Sequence, residues 1–239
     1  MTMRDSITVV TGASEGLGQA IATRLCSSGA KCWLVSRNEP ALKVTVEDIR
    51  SKGATADYCV CDVTSKQEVD VAVSRILHID GRIDILVNNA GVWLQGEPSI
   101  ATAEDTQRVL QVNTLGTIFM TQAILPVMRD QGSGHILNII SDSGLEADGN
   151  WPIYSATKFG VRGFTEGLRK SLSESGIRVT AAYPGGIGTK FYLNAGIPYD
   201  EHEPWMMTKE SVADIVHWVL SCSSDANIDE IVIRKHNQA

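Results

Sequence analysis

Thr11-Gly12-Ala13-Ser14-Glu15-Gly16-Leu17-Gly18 follows the apolar run Ser6–Thr11 (SITVVT) and leads into a predicted helix, Leu17–Ser28, that Gly29 ends. Glycines between a strand and a helix let the backbone turn tightly and approach a pyrophosphate. The helix start adds free N–H groups and the positive end of its dipole. The spacing here is GxxxGxG rather than the more usual GxGxxG. Its position after the first strand points to a nucleotide loop.

Working outward, strands and helices alternate to the end of the chain. Cys32–Val35 reads as a strand, Pro40–Lys52 as a helix, Thr55–Cys61 as a strand and Lys66–Ile79 as a helix ended at Gly81. Ile83–Val87 and Ile136–Ile140 are compact apolar runs, the pattern of central strands buried on both faces. Between them Thr102–Arg129 reads as one long helical stretch with Pro126 near its end. Ile153–Ser175 is another helix, stopped by Gly176. A strand at Ile177–Ala182, a loop-rich segment, a helix at Val212–Ser221 and a strand near Glu230–Ile233 follow. The expected fold is α/β: a Rossmann-like, doubly wound parallel sheet of about seven strands with helices on both faces and right-handed crossovers. No linker or repeat divides it, so residues 1–239 are expected to form a single catalytic domain. In such sheets ligands bind beyond the C-terminal strand ends. Polar residues gather at those ends: Gly12–Gly18, Ser36–Arg37, Asp62, Asn88–Gly91, Ser141 and Pro184–Thr189.

Composition narrows the function classes. A net charge of −7, with no run of Lys or Arg, disfavours a nucleic-acid or anionic-membrane surface. No apolar stretch approaches the ~20 residues of a membrane helix. Met1–Ser6 lacks the basic and apolar blocks of a signal peptide, so the expected location is cytoplasmic. The five cysteines, an odd number, read as buried reduced thiols rather than a disulfide framework. The histidines and cysteines form no HExxH or CxxC group, and no metal site is expected.

Five matched motifs carry a family resemblance. They are TGxxxGxG at Thr11–Gly18, Asn88-Asn89-Ala90-Gly91, Asn113 with Ser141, Tyr154-Ser155-Ala156-Thr157-Lys158, and Pro184-Gly185-Gly186-Ile187-Gly188-Thr189. In this order and context they resemble the short-chain dehydrogenase/reductase family, over almost the whole chain. The resemblance implies that Gly12, Ser14, Glu15, Gly16, Leu17 and Gly18 cradle the cofactor phosphates. Asp62 and Val63 look like the pair that contacts adenine. Asn89, Ala90, Gly91, Pro184, Gly185, Ile187 and Thr189 look like the remaining cofactor contacts, with Tyr154 and Lys158.

Cofactor choice turns on the end of the second strand, Ser36-Arg37-Asn38. An acidic residue there would bond a ribose 2′-OH, whereas Arg37 offers charge-assisted bonds to a 2′-phosphate and Ser36 another donor. The expected cofactor is NADP(H) in preference to NAD(H). Glu15 cuts the other way, being acidic where some NADP-binding relatives carry a basic residue.

Tyr154 and Lys158 are four apart and share one face of a predicted helix. A nearby ammonium favours a phenolate, which brings a tyrosine toward proton exchange at neutral pH. Ser141, just after a buried strand, is placed to hold the same oxygen by hydrogen bond. The resemblance adds Asn113, holding a water that relays protons through Lys158. His135 stands too far back to serve Ser141 as a base. Asp142 either shapes substrate preference or caps a turn. The segment from Lys190 to Met207, with Phe191, Tyr192, Tyr199, Trp205 and Met206 among Asp200, Glu201 and Glu203, reads as a substrate lid at about 190–208. Trp93 and Trp151 are candidate pocket walls. Gly160, Gly163 and Gly167 share a side of the Tyr154 helix, and the resemblance implies pairing with a second copy in a homodimer or homotetramer.

The sequence therefore predicts an NADPH-dependent oxidoreductase that takes a ketone or aldehyde to an alcohol, on a 3-oxoacyl thioester or another small-molecule carbonyl. The alternative is an NADP-binding sensor or scaffold without turnover, which the intact Asn113, Ser141, Tyr154 and Lys158 set disfavours. An extended-branch epimerase or dehydratase would show TGxxGxxG, which is absent here.

Overall fold

In the computed structural model, β1 (Ile7–Thr11), β2 (Lys31–Ser36), β3 (Thr55–Val60), β4 (Ile85–Asn88), β5 (Gly134–Ile139), β6 (Ile177–Pro184) and β9 (Glu230–Ile233) make one parallel sheet in the order β3-β2-β1-β4-β5-β6-β9. The structure describes residues 3–200, 202–223 and 225–236; Met1 and Glu201 lie outside them. β1 and β4 are buried along their whole length, as expected of strands covered on both faces. Ile7 pairs with Lys31 on one side, and Thr8 with Ile85 on the other. The chain thus builds outward from β1 twice, in opposite directions, and a cleft opens where the two directions part.

Helices α1 (Gly16–Ser27), α2 (Glu39–Ser51) and α7 (Lys209–Ser221) cover one face through a core that includes Leu25, Leu42, Ile49 and Val216. Helices α3 (Lys66–Asp80), α5 (Gly116–Gln131) and α6 (Pro152–Ser171) cover the other, with Trp33, Ile76, Met120 and Leu168 inside. Each fully buried Leu or Ile contributes roughly 1.5–3 kcal/mol relative to exposure, which fixes the helix faces. At the N-terminal edge of the sheet, fully buried Asp84 accepts the Ile7 N–H at 2.8 Å and an Arg82 N–H at 2.9 Å. His135 begins β5 on that same edge, bonds Thr180, and is pushed down to about 3 by burial. It stays neutral and far along the strand from Ser141.

Several boundaries differ from the sequence reading. The stretch Thr102–Arg129 is not one helix: α4 (Ala103–Leu110) passes through a π turn, Gln111–Leu115, before α5. β6 runs on to Pro184, and α6 stops at Ser171, short of Ser175. α7 begins earlier than Val212 because the Thr208 hydroxyl accepts the Ser211 N–H and caps it. A short parallel pair, β7 (Ile187–Gly188) with β8 (Met207–Thr208), closes the loop segment at its base. Such two-residue ladders carry no periodicity to read. Four cysteines are buried thiols as expected, but Cys222 is only half-buried, since it follows the last turn of α7 at the surface. No helix among the described residues is long and apolar enough to cross a membrane.

Candidate active site

The cleft beyond the C-terminal ends of β1, β4, β5 and β6 holds a cavity of about 860 Å³. The loop after β1 presses against the loop after β4. The Thr11 hydroxyl accepts the Asn89 and Ala90 N–H groups, each at 3.0 Å, and the Asn89 amide donates to the Thr11 carbonyl at 2.9 Å. Gly12 has φ +64°, and a Cβ there would stand 2.9 Å from the Ala90 Cα. On Gly18 a Cβ would strike the Gly12 carbonyl and the Asn89 amide, the latter at 2.5 Å. Only glycine serves at both positions. α1 starts at Gly16 with no side chain capping its first turn, so its free N–H groups face the cavity. A bare glycine cradle at an uncapped helix start fits a dinucleotide pyrophosphate.

The residues predicted to hold the cofactor line this cavity, with one exception: Gly18 packs behind the loop, under Gly12. Ser14 and Ser36 share a hydrogen bond of 3.0 Å at the end of β2. Arg37 is largely exposed and lies 3.6 Å from Asp62, a long and solvated ion pair of little strength. Burial pushes the Asp62 carboxyl up, but the Thr64 N–H and hydroxyl, and then Arg37, outweigh it and leave it below its ordinary range. Glu15 is already engaged: its Oε1 accepts the Asn194 amide at 2.7 Å, joining the phosphate loop to the 190–208 segment. No sequence signal connects residues so far apart.

At the inner end lie Ser141, Tyr154 and Lys158. A buried polar ladder fixes α6 beneath them. Asn88 donates to Asn138, which donates to Thr165 of α6 at 2.8 Å. Tyr154 and Lys158 are 3% and 5% exposed, with the Lys158 Nζ 5.5 Å from the Tyr154 ring centre. Burial holds the Tyr154 hydroxyl well above its usual range, Tyr192 and Asp142 add to this, and only a contact with the Ser141 hydroxyl opposes it. This reverses the expectation that the ammonium would bring the phenol down. The same burial pulls Lys158 from 10.5 down to about 8. Ser141 adopts φ 144° and ψ 155°, a region that suits glycine and costs about 1–3 kcal/mol otherwise. Its hydroxyl donates to Asp142 Oδ1 at 3.0 Å and accepts the Ser143 N–H.

Asn113 does not line the cavity. Within the π turn its amide oxygen accepts the Val92 N–H at 2.8 Å, and its nitrogen donates to the Val92 carbonyl and to Thr157, one residue before Lys158. Its side chain is a clamp between two loops. Aromatic rings wall the outer end: Trp93 stands 4.4 Å from Tyr154, 5.0 Å from Trp151 and 5.1 Å from Tyr192, ring centre to ring centre. Of these rings the sequence pointed to Trp93, Trp151, Tyr192 and Trp205, but it gave no sign that the Trp205 ring lies against Gly186.

A glycine cradle, a switch-point cleft and a buried Tyr–Lys pair define a dinucleotide-dependent oxidoreductase. A model of the short chain dehydrogenases matches residues 6–197. An uncharacterized oxidoreductase of Staphylococcus saprophyticus is 35% identical over 237 residues, covering 97% of this chain and 98% of its own. The chain belongs to the short-chain dehydrogenase/reductase family. Among solved structures, the closed form of serine dehydrogenase complexed with NADP+ has a TM-score of 0.91 at 31% identity, covering 98% of this chain and 96% of that one. A short-chain dehydrogenase/reductase from Burkholderia phymatum in complex with NAD has the same fold, with a TM-score of 0.88 at 24% identity over 97% and 90% of the chains.

Burial of Lys158 has a measurable consequence for stability. Its folded pKa lies below its unfolded one, so between about 8 and 10.5 the unfolded chain binds more protons, and stability rises with pH across that window. Below it the buried charge destabilises the fold by on the order of 3 kcal/mol. Cofactor-free Lys158→Met should therefore melt several degrees higher than wild type at neutral pH, with the gap closing in alkali. A gap that stays constant across the window in paired melting curves refutes this.

Proposed function

We propose that this protein is a cytoplasmic, NADPH-dependent carbonyl reductase working as a homo-oligomer. The observation that carries the reading is the pairing of Tyr154 with Lys158 at the dry end of a cavity whose other end is the glycine cradle. The cradle and cleft would hold a reduced nicotinamide dinucleotide, which would supply the hydride. Tyr154, kept protonated by burial, donates its Oη proton to the carbonyl oxygen. The Ser141 hydroxyl turns from Asp142 to the same oxygen and steadies the charge that develops on it. The Lys158 ammonium lowers the cost of the phenolate left behind. Asn113 positions Lys158 and the Val92 loop; a relay water held by this residue would have to meet its main-chain oxygen, which receives the Thr117 hydroxyl at 3.0 Å. The 190–208 segment acts as a lid whose rings exclude water.

Arg37 supports NADPH over NADH, because its long ion pair with Asp62 yields readily to a phosphate and no acidic residue ends β2. Glu15, held by Asn194, does not oppose it. The free thiols suit a reducing compartment. Oligomerisation is supported by α6, where a Cβ on Gly163 or Gly167 would meet nothing within 4 Å, beside Phe159 at 41% exposure.

Tyr154→Phe should lower turnover by about 10²- to 10⁴-fold, the usual yield of a proton donor, with NADPH affinity nearly kept. Retention of more than about a tenth of wild-type turnover on a validated ketone would discard the role. Arg37→Ala should weaken NADPH binding about 10- to 150-fold, as loss of a charge-assisted bond does, and leave NADH unchanged. A loss shared by both cofactors in fluorescence titration contradicts the assignment. Gly163→Leu should shift the assembly toward monomer in light scattering, and a wild-type monomer at micromolar concentration would end the assembly reading.

A further inference from the structure

The outer end of the cavity carries a feature that hydride transfer does not use. Asp142 lines it with a carboxylate beside the catalytic tyrosine. Its Oδ1 receives the Ser141 hydroxyl, while Oδ2 stands 3.2 Å from where a Cβ on Gly185 would be. The glycine leaves that oxygen uncovered. Among the described residues no Lys, Arg or His pairs with Asp142; of the basic residues nearby, Arg108 is turned to Asp105 at 3.1 Å and Lys190 is exposed. Its charge is felt by both phenols around it, pushing Tyr154 and Tyr192 up, which opposes phenolate formation. The carboxylate is half-buried, and apart from Lys158 at the inner end no cation lines the cavity around it in a pairing position, so a ligand can bring a countercharge to it.

The surroundings suit that countercharge. Tyr192 has its ring centre 5.1 Å from Trp93 and 5.8 Å from Trp205, and Trp93 is 5.0 Å from Trp151, all tilted or edge-on, so that ring faces turn in several directions. Tryptophan faces attract cations most strongly among aromatic rings. A purely apolar ketone would be served by the rings without Asp142, and an anionic thioester carrier would be repelled by it.

We propose that this protein's substrate carries an organic ammonium group, held between the Trp93–Tyr192–Trp205 rings and the Asp142 carboxylate while its carbonyl meets Tyr154. The proposal rests on the carbonyl-reductase reading and makes Asp142 a specificity-determining residue. Hydride and proton balance are unchanged, since the ammonium takes no part in the bond making.

The test uses a short methyl ketone with a terminal trimethylammonium group and its uncharged tert-butyl isostere. Calorimetry on the NADP+-loaded protein gives Kd for each, and NADPH consumption gives kcat/KM. The charged probe should be preferred about 30-fold in both, the size of a desolvated cation–π and ion-pair contact. The preference should fall severalfold in Asp142→Asn, which keeps the rings but loses the charge, and in wild type shrink as salt rises. Equal affinity for the two probes, tighter binding of the neutral one, or an undiminished preference in Asp142→Asn overturns the proposal. The wild-type salt series decides the matter even if the variant does not fold. Preferential binding without turnover of any carbonyl would sink the reductase reading and leave the cation site standing. Turnover of both probes without preference would do the reverse.

Discussion

The contact between the loops after β1 and β4 is the constraint on which the rest depends. The Thr11 hydroxyl and carbonyl take three N–H groups from Asn89 and Ala90, so the two strand ends stay locked side by side at the point where the sheet changes direction. That lock leaves no room for a side chain at Gly12 or Gly18. It also holds α1 with its first turn open to the cleft. A methyl group at either glycine would have to part the strands.

Deeper in the cleft, exclusion of water sets the chemistry. The Asn88–Asn138–Thr165 ladder threads an otherwise apolar layer, leaving the Asn88 amide oxygen without a partner, and pins α6 against β4 and β5. Tyr154 and Lys158 are thereby buried together, and burial pushes both toward their neutral forms. A neutral phenol is the form that gives a proton away. Lys158, by the same burial, ionises near 8. The strained backbone at Ser141 belongs to the same economy of position, aiming a hydroxyl into the site from a turn that a relaxed residue would not make.

The segment after β7 ties the two ends of the cavity together. It is clasped at its base by β7 and β8, held by Asn194 to Glu15 of the phosphate loop, and packed through Tyr192 and Trp205 over the catalytic end.

The sequence by itself determined the alternating order of elements, the parallel sheet, the glycine loop after β1 and the placing of Tyr154 and Lys158 on one helix near Ser141, because each rests on local periodicity, a strand end or a fixed spacing along one helix. Tertiary structure alone decided the π turn that breaks the long helix at Asn113, since its clamp partners Val92 and Thr157 are distant in the chain. It also decided that Glu15 turns to Asn194, 179 positions away, and that Tyr154 is raised rather than lowered. Burial and through-space partners govern those properties, and neither leaves a mark on neighbouring residues.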